Sequence, residues 1–353
     1  MKKLLIMAMA ASLVLSSCKK DDESAEESGA TTLDYRSGAY VSNEGAFGSS
    51  NGSLSWISGS SVKNNLFEEV NGIPLGDVVQ SFSTHNDIGY AIVNNSAKVE
   101  VINLRDFSSI ATISGCDYPR HFMAVSDTKG YLTNGSGAGN VLIVDLNTYQ
   151  ITGEIAVGNG PERLVSNGQY VFVTNSGGWG NDNTVSVIDP ATDQVVSTVE
   201  VGDNPTDLVV DANNDVWVMC SGLTEYDENW QIINETESKI VLIDGAQLVT
   251  TGELQIGAVG DHVREIEVNP AGSVVYVELN GVWDIPVETG ELPGDAMIST
   301  DVHSFNVNPT NGDIYTTTLP DYIGNDQVVV YNSNGGVEET LDVGIAPNGV
   351  AFN

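Results

Sequence analysis

Three prolines, Pro119, Pro161 and Pro205, stand 42 and 44 residues apart, and each opens the same succession of short apolar runs. A period of about 40 to 45 residues belongs to four-stranded propeller blades, whereas leucine-rich and helical repeats have other periods. In the clearest copy, residues 161–166 lead to 170–175, then 184–189, then 194–202. Each run is β-branched and alternating, with Gly, Asn, Asp or Pro between runs, which predicts an antiparallel meander. The copy before it runs through 130–134, 141–145 and 151–158, and the copy after it through 216–219, 239–244 and 254–257. Weaker copies cover 80–114, 263–286, whose last strand is hard to place, and 302–344. The remaining pieces, 38–42, 53–58 and 65–70 at the start and 346–352 at the end, make a seventh blade. The expected fold is therefore all-β: a seven-bladed β-propeller of four-stranded antiparallel blades over residues 35–353. The C-terminal strand joins the N-terminal blade, closing the ring and leaving no sheet edge open.

Residues ahead of the repeat are of another kind. Lys2 and Lys3 precede an apolar run from Leu4 to Leu15, followed by Ser16, Ser17 and Cys18. That run is too short to span a bilayer and reads as a signal peptide, residues 1–17. Leu15 to Cys18 resembles a bacterial lipobox, which implies lipidation of Cys18 and attachment to a membrane by acyl chains alone. Lys20, Asp21 and Asp22 resemble the surface-export signal of Bacteroidetes lipoproteins, which implies an outer-membrane protein facing outward. Residues 18–34 are acidic and Ser-rich, with few large apolar side chains, and are expected to form a flexible tether.

The formal charge is −35, and loss of Lys2 and Lys3 makes the chain more acidic still. Nucleic acid is excluded as a partner, because phosphate binding needs clustered Lys and Arg. Beyond Cys18 only Cys116 and Cys220 remain, two blades apart, and no disulfide or metal motif follows from them. The four histidines, His85, His121, His262 and His303, lack metal-ligand spacing. Asp211, Asn213 and Asp215 begin like a calcium loop, but Val216 and Gly222 stand where its glycine and glutamate belong, so a turn is expected. No Ser, His and Asp constellation is legible. No catalysis and no cofactor are expected.

Aligning the first strands of the blades on their first apolar residue brings two polar rings together. One holds Gln80, Arg120, Glu162, Thr206, Arg264, His303 and Asn348. The next holds Ser81, His121, Arg163, Asp207, Glu265, Ser304 and Gly349. Three of the chain's five arginines fall in them. Such a channel mouth suits a polar ligand needing many hydrogen bonds. Equally, the rings pair among themselves in a hydrated channel, Arg163 with Glu162 or Asp207. Long Gly- and Asn-rich loops between second and third strands should open on the same face, carrying Phe47, Trp179, Tyr226, Trp230 and Tyr322. Exposed aromatics there either stack on a ligand or anchor their own loops.

The segments 172–175 (FVTN) and 185–189 (VSVID) resemble the YVTN-repeat, YncE-like propellers. Asn43-Glu44-Gly45, Leu75-Gly76-Asp77, Pro119-Arg120, Pro161-Glu162 and Val216-Trp217-Val218 with Cys220 further resemble a family of Bacteroidetes surface lipoproteins. Its BtuG-like members are seven-bladed propellers that seize cobalamin outside the cell and pass it to a TonB-dependent transporter. The resemblance implies capture of a corrinoid or another scarce nutrient above such a transporter. A ferric siderophore, haem or a glycan, or adhesion, remains open beside it, and a propeller enzyme is the remotest reading.

Overall fold

The computed structural model describes residues 34–135 and 137–353. The leader 1–17, Cys18 and all of the tether except Asp34 lie outside the described residues.

Among the described residues, seven blade sheets follow one another along the chain, with a separate two-stranded hairpin between strands of the fifth. Blade 1 combines Ala39–Asn43, Ser53–Ser58 and Ser61–Lys63 with the final strand, Pro347–Phe352. Blade 2 is Val79–His85, Ile88–Val93, Lys98–Asn103 and Ser109–Ser114. Blade 3 is Pro119–Ser126, Lys129–Asn134, Ala138–Asp145 and Gln150–Asn159. Blade 4 is Pro161–Ser166, Val171–Asn175, Thr184–Asp189 and Gln194–Glu200. Blade 5 is Pro205–Val210, Val216–Cys220, Glu237–Asp244 and Val249–Val259, blade 6 is Ile266–Val268, Val274–Glu278 and Val282–Pro286, and blade 7 is Ser304–Val307, Ile314–Thr317, Gln327–Tyr331 and Val337–Asp342. The first strands touch in sequence around a closed circle, from blade 2 through blade 7 to Pro347–Phe352 and back to blade 2. Pro347–Phe352 pairs antiparallel with Ala39–Asn43, so the ring is closed as the sequence predicts.

Repeated residues explain the repeated geometry. The Asp or Asn ending the third strand accepts a backbone N–H two residues on: Asn103 from Arg105, Asp145 from Asn147, Asp189 from Ala191, Asp244 from Ala246, at 2.7–2.9 Å. Such Asx turns point the chain back into the fourth strand. The Asn closing the second strand stitches blades instead. Asn43 Oδ1 accepts Gly344 N–H at 3.0 Å, Asn134 Oδ1 accepts Tyr118 N–H at 2.9 Å, and Asn94 Nδ2 donates to Pro119 O at 2.8 Å. Asp211 is a turn residue as expected, taking N–H groups from Asn213 and Asp215 and the Trp217 indole at 2.8, 3.0 and 3.1 Å.

Buried apolar side chains gather between neighbouring sheets. Tyr90 of blade 2 stacks on Phe122 of blade 3 with ring centroids 4.2 Å apart. The Phe122 ring lies so close over Gly130 that an added Cβ would stand 2.3 Å from its Cζ. Gly130→Ala should therefore overpack this seam and destabilise by about 1–3 kcal/mol, read as a lower denaturation midpoint with an unchanged slope. Cys116 and Cys220 are both buried free thiols.

Two expectations are corrected. Residues 65–70 are not a strand: Leu66–Asn71 is a short helix, and the outer strand of blade 1 is the three-residue Ser61–Lys63. Leu66 and Phe67 are buried while Glu68 and Glu69 are exposed, a helical division of faces that an alternating reading misses. Blade 6 has three strands, not four. Pro286 ends its third strand, and the chain returns as a loop joined to it by the single bridge Val282–Ile298, with Leu292 and Met297 packed on adjoining cores.

Candidate functional site

The strand registers shift at the ring positions, between Pro119 and Phe122 and between Pro161 and Leu164, so adjacent side chains do not alternate strictly there and the two polar rings share partners. In the outer ring, Arg120 holds Glu162 by two forked contacts, Nε to Oε2 at 2.9 Å and Nη2 to Oε1 at 2.7 Å, while its Nη1 reaches Gln80. His121 places Nε2 3.3 Å from the same carboxylate. Burial works against ionising Glu162, but Arg120 and His121 outweigh it and hold the carboxyl down at about 2. Burial, aided by the charge of Arg163, pushes His121 down to about 4, so its imidazole is neutral at pH 7. Asn348 donates to the carbonyls of Val79 and Gln80, both at 3.1 Å. The Arg264 side chain is exposed, and burial lowers the pKa of His303.

Deeper in the channel, Arg163 faces Asp207 at 3.7 Å, one of the two partners expected; Glu162 is already taken by Arg120. Glu265 accepts Phe305 N–H at 2.9 Å, and Glu267 accepts Asn306 Nδ2 at 2.7 Å. The remaining cavity among Gln80, His121, Arg163, Asn306 and Asn348 is about 40 Å³, room for a few waters. The rings brace one another, while Arg163 and Arg120 keep 32% and 21% of their side chains exposed to solvent.

That bracing is unbalanced in charge. Asp207, Glu265 and Glu267 share one guanidinium, Arg163, and burial followed by mutual repulsion raises Glu267 to about 8. A free carboxyl of this kind titrates at 4.5, so between these pH values the fold keeps a proton that the unfolded chain has lost. Stability from this group is whole below about pH 4.5 and falls as pH rises to about 8. Glu267→Gln should remove that slope, raising stability at pH 8.5 by on the order of 2 kcal/mol while changing little at pH 5. Thermal melts of both proteins at the two pH values check it.

Ligand-facing features lie above the channel. Loops joining second to third strands hydrogen-bond to the segments that enter the first strands: Gly45 N–H to Ile345 O, Gly177 N–H to Asn159 O, Gly222 N–H to Asp203 O. They therefore share a face with the channel mouth. Every aromatic among the exposed large apolar residues sits here: Phe47, Trp179, Tyr226, Trp230 and Tyr322. Trp179 and Trp230 are 80% and 81% exposed, which excludes anchoring of their own loops by burial. None of these loops contains Lys or Arg. Tyr226 and Trp230 are carried on a small hairpin, Thr224–Tyr226 with Ile232–Glu235, whose base His262 ties to Thr224 at 2.9 Å.

One place combines loop and ring. Beside the Tyr118–Trp179 pair, whose ring centroids are 6.0 Å apart, lies a cleft of about 120 Å³ that Arg120 and Glu162 also line. Gly135, Gly160 and Gly178 form its wall. Gly160, at φ +54°, lies so near the Trp179 loop that a Cβ would stand 2.0 Å from Gly178 N. Sequence alignment of the rings misses Tyr118, which precedes Arg120 by two residues, and Glu267, which lies one past the aligned Ile266. It also misses Glu44, a loop residue whose pKa is raised by burial and opposed by Arg120 and Asn348. Among the described residues, no three His, Cys, Asp or Glu side chains stand together as a metal set.

Residues 37–341 match the family described as "Domain of unknown function (DUF5074)". The chain belongs to the DUF5074 family. No curated protein sequence matches this DUF5074 chain. In structure it is similar to the hydrazine synthase of Kuenenia stuttgartiensis, with TM-score 0.62 and 16% identity over 87% of this chain and 98% of that one. It is also similar to a quinoprotein alcohol dehydrogenase-like protein of Bacteroides thetaiotaomicron, with TM-score 0.64 and 12% identity over 91% and 79%. At these identities the likeness is one of fold, and propellers host unrelated activities.

Proposed function

We propose that this DUF5074 propeller is a capture protein without catalytic activity, which binds a scarce small nutrient on its aromatic loop face. The observation that carries this reading is the cleft lined by Tyr118 and Trp179, open to solvent on the face that carries the exposed aromatic residues. A corrinoid such as cobalamin is the first ligand, in keeping with the resemblance to BtuG-like proteins. It is far larger than the cleft, so it would lie across the loops with one part inserted. Haem, with its propionates, and the catecholate ferric siderophores carry negative charge, and loops with acidic residues and no Lys or Arg disfavour them. Lipidation at Cys18 would hold the protein on the outer membrane, facing outward, where a TonB-dependent transporter would receive the ligand.

Calorimetric titration of the purified protein with cyanocobalamin tests this. Tight one-to-one binding is expected, weakened at least tenfold by Trp179→Ala, as for an aromatic anchor worth 2 kcal/mol or so. Trp179 is exposed, so the variant should fold as the parent does. Silence at millimolar ligand would sink the corrinoid reading and bring glycans forward, since exposed Trp residues on two neighbouring blades would also suit a chain of sugar rings.

A further inference from the structure

Resting on the reading of this face as a capture surface, we infer that the Tyr118–Trp179 cleft receives a single flat ring that carries no negative charge, and prefers a cationic ring over a neutral one.

Size comes first. The cleft is about 120 Å³, smaller than the cavity of about 150 Å³ that accommodates benzene in another protein, so nothing larger than one six-membered ring fits beside the touching Tyr118 and Trp179 side chains. The walls favour flatness. Tyr118 and Trp179 are inclined at 53°, and the glycine side offers backbone only, so a thin ring can approach where a branched group cannot.

Charge follows from how Arg120 is spent. It looks like an anchor for a carboxylate, yet Glu162 takes its Nε and Nη2 and Gln80 takes its Nη1. Its guanidinium carbon also lies 5.5 Å from the Tyr118 ring centroid. The floor therefore presents a neutralised ion pair. The Ser176 hydroxyl is committed too, donating to Gly160 O at 2.9 Å. Nearby carboxylates, Asp182 in the same loop and Glu44 toward Arg120, add negative potential. The open Trp179 face supplies the cation-attracting quadrupole, in a protein whose charge of −35 draws cations inward.

Three probes share one ring and differ in charge: N-methylnicotinamide (+1), nicotinamide (0) and nicotinate (−1). Binding is followed by the indole N–H resonance of Trp179, assigned by its disappearance in Trp179→Phe. The cation should half-saturate at least threefold below nicotinamide and at least tenfold below nicotinate in dilute buffer. The spread should shrink in 0.5 M salt, and Tyr118→Ala should weaken all three with the melting curve unchanged. Equal or tighter binding of nicotinate, binding that ignores Tyr118→Ala, or no shift with any probe at 50 mM overturns the inference. If cyanocobalamin binds and is indifferent to Trp179, this cleft is not the subsite while capture stands. If the probes bind in the expected order and cyanocobalamin does not, the ring site stands and the corrinoid reading falls.

Discussion

Ending the chain at Ala346 should abolish cooperative unfolding, because the strand it removes, Pro347–Phe352, is the inner strand of blade 1 and closes the circle. It pairs along Ala39–Asn43, every residue of which is buried, and its loss would expose that strand's edge to water. Val350 packs with Val41, Ile57 and Val328 in the seam toward blade 7. Four further hydrogen bonds would go: Asn348 to the carbonyls of Val79 and Gln80, Val350 N–H to Asn306 Oδ1 at 2.6 Å, and Thr84 Oγ1 to Phe352 O at 2.7 Å. These losses fall on both neighbouring blades at once. A domain has only about 5–15 kcal/mol of net stability to lose. The shortened chain should be insoluble or melt without a transition. A sharp melt within a few degrees of the parent would show that the circle is not held shut by this strand.

Arg120→Met should be the most damaging single substitution at the face. Arg120 is the largest influence holding Glu162 ionised in a partly buried setting, and removing the guanidinium leaves the carboxylate with His121 alone, at 3.3 Å. Breaking a buried pair from one side costs about 3–5 kcal/mol, since a charge stays behind unpaired. In a protein of this size that lowers the melting temperature by roughly 5–10 °C. Adding Glu162→Leu to Arg120→Met should recover most of the loss, because two apolar groups leave no stranded charge. A double variant no better than the single one would mean that Arg120 acts through packing. For this reason Trp179, and not Arg120, is the residue with which to probe binding.

The circle itself was readable from Pro119, Pro161 and Pro205, and its closure from strand-like residues at both ends of the chain. A period is a long-range signal that survives local irregularity. What stayed hidden was local or crossed between blades. Leu66–Asn71 was misread because a six-residue segment supports either an alternating or a helical division of faces. The missing strand of blade 6 left a trace in advance, as the copy over 263–286 whose last strand was hard to place.

At the site, residue types were legible and partners were not. The aligned rings gathered Gln80, Arg120, Glu162, Arg163 and Asp207 at the channel. Glu162 and Arg163, adjacent in sequence, point to different neighbours, so Arg120 of the preceding blade takes the first and Asp207 of the following blade faces the second. Burial of each group decides its pKa, and burial depends on the whole circle. Sequence showed Trp179 only as a loop aromatic; its pairing with Tyr118 depends on Gly160 bringing the loop down to the ring.

Hydrogen–deuterium exchange with and without cyanocobalamin tests the central claim most directly, because it reports where a ligand sits without changing any residue. Exchange should slow in the segments around Tyr118 and residues 176–183, with weaker protection of the neighbouring loops at 44–52, 221–236 and 318–326, and none on the opposite face. Protection centred on the opposite face or on the outer strands, or no protection where titration shows binding, would contradict it.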